Sequence, residues 1–491
     1  MYPWKTIIKI DRKLGISVYL QIVNHLISEI TQGRISPGNK LPSTRVLADL
    51  LNVNRKTVVL AYDELMAQGW IDIKASKGTF VSELLPLIKY KRLDDNHRLL
   101  IPTETFYTIQ NTEGVKQCNN AKGLAIDGGV PDVRLAPIDI LYKTCRSIAT
   151  SRQGLRLLKY GDVRGAYVLR ETLAEYLQDT RGLKCKTEHV FITRGSQMAI
   201  YMVFKLLLKK HDNAIVGETN YPDANNVIEN TGAIMRTVPV DEEGIDVDAV
   251  EVLCKKFKIR AMYVTSHHHY PTTVTLSAER RLRLLQLAAQ YKFAIVEDDY
   301  DYDFHYANNS ILPLASIDTN GSVIYIGSFT KSLAPALRVG YLVAPENLLN
   351  ALVRSRKIID RQGDSILEAS IALMLKEGEI QRHLKKSLNT YRIRRDFFCK
   401  LLKQELGDFI YFDIPEGGMA IWARFDAKIN LELLLDVLRA QKLNILSNQS
   451  FVKDLNSIRL GFSQLNEREI IMAVKIIKEG IVELLFSSKV N

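Results

Sequence analysis

Cysteine is scarce in this sequence, with five residues in 491, at positions 118, 145, 185, 254 and 399 and no paired spacing among them. That excludes a disulfide framework and a cysteine-built zinc site, and it fits a reducing cytoplasm. Long apolar runs are missing as well. No stretch approaches the ~18 uninterrupted apolar residues of a membrane span, and the start, MYPWKTIIKIDRK, has no apolar signal core with a cleavage site. A soluble cytoplasmic protein with no membrane partner is expected. No internal repeat recurs at solenoid periods. What the chain does have is 46% hydrophobic and 25% charged residues, enough apolar material for roughly two to four domains. The formal charge is +11, and the first 82 residues carry eleven Lys and Arg against six Asp and Glu. A small basic module at one end points to nucleic acid.

Within that module, Val23, Leu26, Ile27 and Ile30 fall at the spacing of one buried helical face. After the Pro37-Gly38 turn, Ser43 or Thr44 can cap a second helix with Val46, Leu47, Leu50 and Leu51 inward. A break at Asn52-Val53-Asn54 leads to a third helix with Val58, Val59, Tyr62, Leu65 and Met66 inward and Arg55, Lys56 and Thr57 on its exposed first turn. Trp70 to Ile73, a polar turn from Lys74 to Gly78, and Thr79 to Val81 read as a hairpin. Two helices across a three-residue turn, followed by a hairpin, make a winged helix-turn-helix. Arg55, Lys56 and Thr57 then stand where a recognition helix meets base edges, and Lys77 and Gly78 stand at a wing tip.

The stretch SVYLQIVNHLISEITQGRISPGNKLPSTRVLADLLNVNRKTVVLAYDELMAQGWI, closed by KGTFV, resembles the winged-helix domain of GntR-type bacterial regulators. The resemblance implies binding to double-stranded operator DNA, with Ser43, Thr44 and Arg45 in the LPS-x-R contact and Arg55 and Thr57 at recognition-helix contacts.

From residue 83 to about 122 the chain mixes charges and polar residues without periodicity, as a linker does. Beyond it, helical and strand patterns alternate, which predicts an α/β fold with a mainly parallel sheet, helices on both faces and a smaller C-terminal α/β lobe. Four stretches fall at strand ends, where open α/β sheets bind ligands. Val190 to Thr193 runs into Arg194-Gly195-Ser196-Gln197, an anion site at a helix N terminus. Phe293 to Val296 ends in Glu297-Asp298-Asp299-Tyr300. Val323 to Ile326 delivers Ser328, Thr330 and Lys331, with Arg338 seven positions later. Ile458 to Phe462 holds Arg459 inside an apolar strand, where an unpaired charge is expensive.

Pyridoxal 5'-phosphate would use all four, because it needs a lysine for the Schiff base, a phosphate cup, a carboxylate at the ring nitrogen and an aromatic over the ring. Lys331 is the candidate lysine. Ser196, Gln197, Ser328, Thr330 and Arg338 would hold the phosphate, Asp298 would pair with the pyridinium, Tyr300 would meet the ring oxygen, and Tyr221 would stack.

In order and spacing, YGDVRGAYVLRETLAEYL, TRGSQMAI, YPDANN, VEDDYDYDF, SFTKSLAPALRVGYL and IRLGF resemble fold-type I aminotransferases, which assigns Arg459 to a substrate or effector carboxylate. A GntR-type reader (1–82), a linker (83–122) and an aminotransferase-like sensor (123–491) together resemble the MocR subfamily of transcriptional regulators. That likeness implies a homodimer, head to tail with domain swap, that senses an amine, an amino acid or the cofactor itself. It would control promoters of amino-acid or vitamin B6 metabolism.

Where aminotransferases usually carry Asn-Pro-Thr-Gly this chain has Tyr270-Pro271-Thr272-Thr273, which favours sensing and leaves at most weak residual aminotransferase activity. An active aminotransferase with an accessory DNA-binding domain is the alternative. The run His267-His268-His269 does not suit a metal, since adjacent strand residues point to opposite faces. Asp223, two residues after Tyr221, is a candidate to shape effector choice.

Overall fold

The computed structural model describes residues 4–12, 14–85, 123–152, 154–306, 311–445, 451–452 and 455–487. These fall into two units, Met1–Val115 and Lys116–Asn491. Most of the expected linker lies outside the described residues. No helix among the described residues is long and apolar enough to cross a membrane.

The first unit runs α1 (Trp4–Ile7), α2 (Val18–Thr31), α3 (Thr44–Leu51), α4 (Arg55–Ala67), β1 (Ile71–Lys74) and β2 (Gly78–Val81). Side-chain caps start both helices of the helix-turn-helix: Ser43 accepts from the Val46 amide at 3.3 Å and Asn54 from the Lys56 amide at 2.9 Å. Between them Asn52 takes the left-handed conformation, φ 52°, that ends α3. The Tyr62 hydroxyl donates to the Pro42 carbonyl at 2.9 Å and ties α4 to the segment before α3. β1 and β2 pair antiparallel from Ile71 opposite Val81 to Lys74 opposite Gly78. Lys74 and Gly78 therefore belong to the strands, and the turn is only Ala75 to Lys77.

Two inward faces differ from the sequence expectation. In α3 the buried residues are Leu47 and Ala48, whereas Val46 is 50% and Leu50 39% exposed. In α4 they are Val58, Ala61, Tyr62 and Leu65, with Met66 exposed. Short helices touch the core along a narrow stripe, and small alanines fill the closest approaches. The added helix α1 supplies Trp4 and the following Ile8 to the same core as Ile22, Leu26, Leu47, Val58 and Leu65.

The second unit is built on β3 (Leu124–Ile126), β4 (Val190–Thr193), β5 (Asn213–Gly217), β6 (Ile234–Val238), the small hairpin β7 (Val240–Asp241) and β8 (Gly244–Ile245), β9 (Ile259–Val264), β10 (Ala294–Asp298), β11 (Val323–Ser328) and β12 (Gly340–Val343). A seven-stranded sheet has the order β4-β12-β11-β10-β9-β5-β6. β12 is antiparallel to both β11 and β4, and the other pairings are parallel. Its central strands are buried on both faces: Val296 and Ile326 join one apolar cluster while Ile295 and Val323 join another.

The C-terminal lobe adds β13 (Ile410–Tyr411), β14 (Ala420–Phe425), β15 (Leu443–Ile445), β16 (Phe451–Val452) and β17 (Ser457–Gly461). Its sheet runs β13-β14-β17-β16, while β15 pairs in parallel with β3. The lobe therefore borrows a strand from the start of the unit, a pairing that sequence order hides.

Because Leu47 is fully buried and Val46 half exposed, Leu47→Ala should destabilise the first unit by about 2–5 kcal/mol. Val46→Ala should change it by no more than about 0.5 kcal/mol. Amide hydrogen exchange over residues 18–81 of the full chain measures both.

Candidate functional site

The carboxyl ends of the parallel strands converge on a cavity of about 340 Å3 whose lining includes Ser196, Gln197, Tyr221, Asp298, Tyr300, Ser328, Thr330, Lys331, Arg338 and Arg459. Every residue named from the sequence for the cofactor or the effector carboxylate lies here. Strand alternation sorts the acids at the end of β10. Glu297 turns away to accept from the Leu314 and Ala315 amides at 2.8 and 3.0 Å. Asp299 takes the Tyr325 hydroxyl at 2.8 Å and faces His267 at 3.2 Å. Only Asp298 faces the cavity.

Asp298 is held by one bond, from the Tyr263 hydroxyl to Oδ2 at 2.8 Å, and its Oδ1 is buried without a hydrogen-bond partner. Burial pushes its carboxyl up to about 7. A buried acceptor lacking a donor costs free energy until one arrives, and a protonated ring nitrogen would supply it. Lys331 follows β11 in the one-turn helix Phe329–Ser332, and its amine donates to the Gly129 carbonyl. Burial lowers its pKa, with Asp127 opposing. A neutral amine is the nucleophilic form.

The phosphate-sized corner has a geometric signature. Ser328 accepts from the Thr330 amide at 3.1 Å and bonds the Thr330 hydroxyl at 2.8 Å. After Lys331 the chain returns along antiparallel β12, which sets Ser328 opposite Gly340 and carries Arg338 back beside β4. Arg338 donates to the Arg194 carbonyl at 3.1 Å. A Cβ on Gly195, where φ is 78°, would stand 2.6 Å from the Arg338 guanidinium, and one on Gly340 would stand 2.7 Å from the Gly195 backbone. Glycine at both positions leaves the guanidinium and the N terminus of the helix Ser196–Leu207 converging on one anion-sized space.

Arg459, 1% exposed, donates to the Gly128 carbonyl at 2.8 Å, the Pro271 carbonyl at 2.9 Å and the Tyr300 hydroxyl at 3.3 Å. These partners orient it without neutralising it, and the ion pairs among the described residues do not include it. Tyr300 donates to the His268 carbonyl at 3.0 Å, so binding a ring oxygen would require it to exchange that bond. Tyr221 donates to Asp223 at 2.9 Å and meets Tyr270 edge-on, 5.3 Å between centroids. The three histidines separate, though they lie in the irregular segment after β9 and not in a strand as the sequence suggested. His267 faces Asp299, His268 pairs with Asp301 at 2.9 Å, and His269 bonds the Thr219 carbonyl at 2.7 Å. Thr273, where aminotransferases usually have glycine, sits at φ 68°, strained for a β-branched residue.

Sequence reasoning missed Gly128, Tyr263 and Thr265 in the lining, and Asp127 beside Lys331. The Asp127-Gly128-Gly129 turn was readable as a tight turn, but its position against β17 was not. In the first unit, Ser43, Arg45, Arg55, Lys56, Lys77 and Gly78 are exposed, while Thr44 and Thr57 are half-buried.

Residues 120–477 match the family described as aminotransferase class I and II, and residues 18–81 match the gntR family of bacterial regulatory proteins. The chain is similar to the probable rhizopine catabolism regulatory protein MocR of Rhizobium meliloti, with 28% identity covering 90% of this chain and 89% of the relative. It is also similar to the transcriptional regulator TauR of Rhodobacter capsulatus, with 29% identity covering 89% and 90%. Among solved structures, the α-aminoadipate aminotransferase LysN of Thermus thermophilus, complexed with N-(5'-phosphopyridoxyl)-L-leucine, aligns with TM-score 0.68 and 26% identity, covering 74% of this chain and 93% of that one.

A carboxyl that titrates near 7 when folded and near 3.9 when unfolded keeps its proton only in the folded chain across that window. Folded stability therefore falls as pH rises through it. Thermal unfolding of the cofactor-free protein between about pH 4 and 7 should show this decline, and Asp298→Asn should flatten it.

Proposed function

The chain belongs to the aminotransferase class I and II family, and from that premise we propose that it senses a small amine or amino acid in the family's cofactor site and relays the result to promoter DNA. Its pairing of a GntR-type reader with the family body is that of the MocR subfamily, and pyridoxal 5'-phosphate is its cofactor. When bound, the cofactor supplies an amine-reactive carbon on an electron-withdrawing ring.

The protein's part is positional and electrostatic. Lys331, its pKa lowered by burial, presents its amine. Asp298 Oδ1 would accept the ring N–H. Ser196, Gln197, Ser328, Thr330 and Arg338, with the helix N terminus, would hold the phosphate, and Tyr221 would cover the ring. Arg459 takes the carboxylate of the effector. The observation that carries this reading is a pair of buried groups in one cavity lining: Asp298 Oδ1, which has no hydrogen-bond partner, and the Arg459 guanidinium, which the ion pairs among the described residues do not include.

Residues 1–82 serve as the DNA reader, 83–122 as the linker and 123–491 as the sensor. On the reader, Arg45, Arg55 and Thr57 face DNA with Lys56, and Lys77 and Gly78 touch it from the wing. The sensing body works as a homodimer. In its support, Leu155, Leu158, Tyr160 and Ile358 are each 66% exposed or more. Exposed apolar side chains of this size suit a subunit contact. The regulated promoters belong to amino-acid or vitamin B6 metabolism, and the effector is an amine, an amino acid or the cofactor itself.

Borohydride reduction of the loaded protein followed by peptide mass analysis should place the pyridoxyl group on Lys331, and Lys331→Ala should remove the cofactor's visible absorbance. Label on another lysine would refute the assignment. In gel-shift titrations at fixed salt, Arg45→Ala and Arg55→Ala should each weaken promoter binding by about 1–3 kcal/mol while cofactor absorbance is retained. Unchanged DNA affinity in both variants would refute the docking scheme.

A further inference from the structure

We propose that the Thr265 hydroxyl donates a hydrogen bond to the ring oxygen of the bound cofactor and so fixes the ring on the flank away from its phosphate. This rests on the roles given above to Lys331, Asp298 and the phosphate corner, and it adds a residue to that same site.

The sheet order decides where the ring oxygen must lie. Pyridoxal 5'-phosphate carries its ring nitrogen at one end, its amine-reactive carbon at the other, the phosphate arm on one flank and the oxygen on the opposite flank. Along β4-β12-β11-β10-β9, Asp298 ends β10. The phosphate corner lies wholly to one side of it, with Ser328 at the end of β11 and Ser196 after β4. A ring with its nitrogen on Asp298 and its phosphate in that corner turns its oxygen the other way, toward β9. The chain that continues β9 is Thr265. β9 and β10 pair in parallel with Val264 opposite Glu297, so Thr265 and Asp298 leave the sheet side by side, about 4.8 Å apart as neighbouring strands are. Both line the cavity. Tyr263, two residues earlier and on the same face, already reaches Asp298 at 2.8 Å.

Thr265 is also free to donate. Its oxygen accepts from the Tyr270 amide at 2.9 Å, which sets its direction, and among the described residues no acceptor takes its proton. The residue is 2% exposed, and a buried donor without an acceptor costs free energy until one arrives. Nearby hydroxyls have spent their single protons: Tyr221 on Asp223, Tyr263 on Asp298 and Tyr300 on the His268 carbonyl. Tyr300 would have to break a bond to serve a ring oxygen, whereas Thr265 breaks none. Holding the Tyr270 amide is a structural use of Thr265, but that bond employs a lone pair and leaves the proton unused.

The two uses separate with a ligand that lacks the ring oxygen. Parent, Thr265→Val and Thr265→Ser proteins are titrated, by quenching of intrinsic fluorescence, with pyridoxal 5'-phosphate and with its 3-deoxy analogue. The preference of the parent for the cofactor over the analogue should fall about tenfold or more in Thr265→Val and be kept in Thr265→Ser. Should the valine variant not fold, Thr265→Ala takes its place with the same expectation. A purely structural role weakens both ligands alike. An unchanged ratio in the variant lacking the hydroxyl, or an equal fall in Thr265→Ser, therefore overturns the proposal. Borohydride labelling runs alongside. If Lys331 of the parent is labelled and the ratios are equal, only the Thr265 assignment falls; if Lys331 is not labelled, the reading of the cofactor site falls with it.

Discussion

The organisation of the sensing body follows from a single electrostatic constraint, the burial of Lys331 in a setting that lowers its pKa. Desolvation disfavours the ammonium, and the amine is steadied by the Gly129 carbonyl and not by a contacting carboxylate. Asp298 shows the complementary case. Burial pushes its carboxyl up to about 7 against the one bond from Tyr263, and Oδ1 is left unsatisfied. An acid and a base that each resist ionisation in one cavity represent stability left unrealised until a ligand charges both. That is the energetic basis on which cofactor binding can bias the state of the whole body.

Backbone geometry makes this arrangement possible. Parallel strands present their carboxyl ends together, and the period of two along β10 gives each of three consecutive acids a different partner: Glu297 to the Leu314 and Ala315 amides, Asp298 to the cavity, Asp299 to His267 and Tyr325. The antiparallel return of β12 brings Arg338 back to the N terminus of the helix Ser196–Leu207, and two glycines keep that approach open.

The segment Asp127 to Gly129 joins the two halves of the site. The Gly129 carbonyl accepts from Lys331, the Gly128 carbonyl from Arg459, and the Gly461 amide of β17 donates to the Asp127 carbonyl at 2.6 Å. The segment follows β3, which pairs with β15 of the C-terminal lobe.

The amino-acid sequence by itself determined what could be read from local patterns. It determined a cap at Ser43 or Thr44, the break at Asn52 to Asn54, the helix-turn-helix, the strand ends carrying Ser196, Asp298, Lys331 and Arg459, and the α/β class. These follow from short-range periodicity and capping chemistry, which a linear string contains. Tertiary structure alone decided the narrow buried stripe of α3, which exposes Val46 and Leu50 and buries Ala48, because burial there depends on which helices cross. It also decided the antiparallel place of β12, the lending of β3 to the C-terminal lobe, and the contacts of Tyr263 with Asp298 and of Gly129 with Lys331. Each of those joins residues tens to hundreds of positions apart, and such pairings are set by the packing of whole layers, which has no local trace in the sequence.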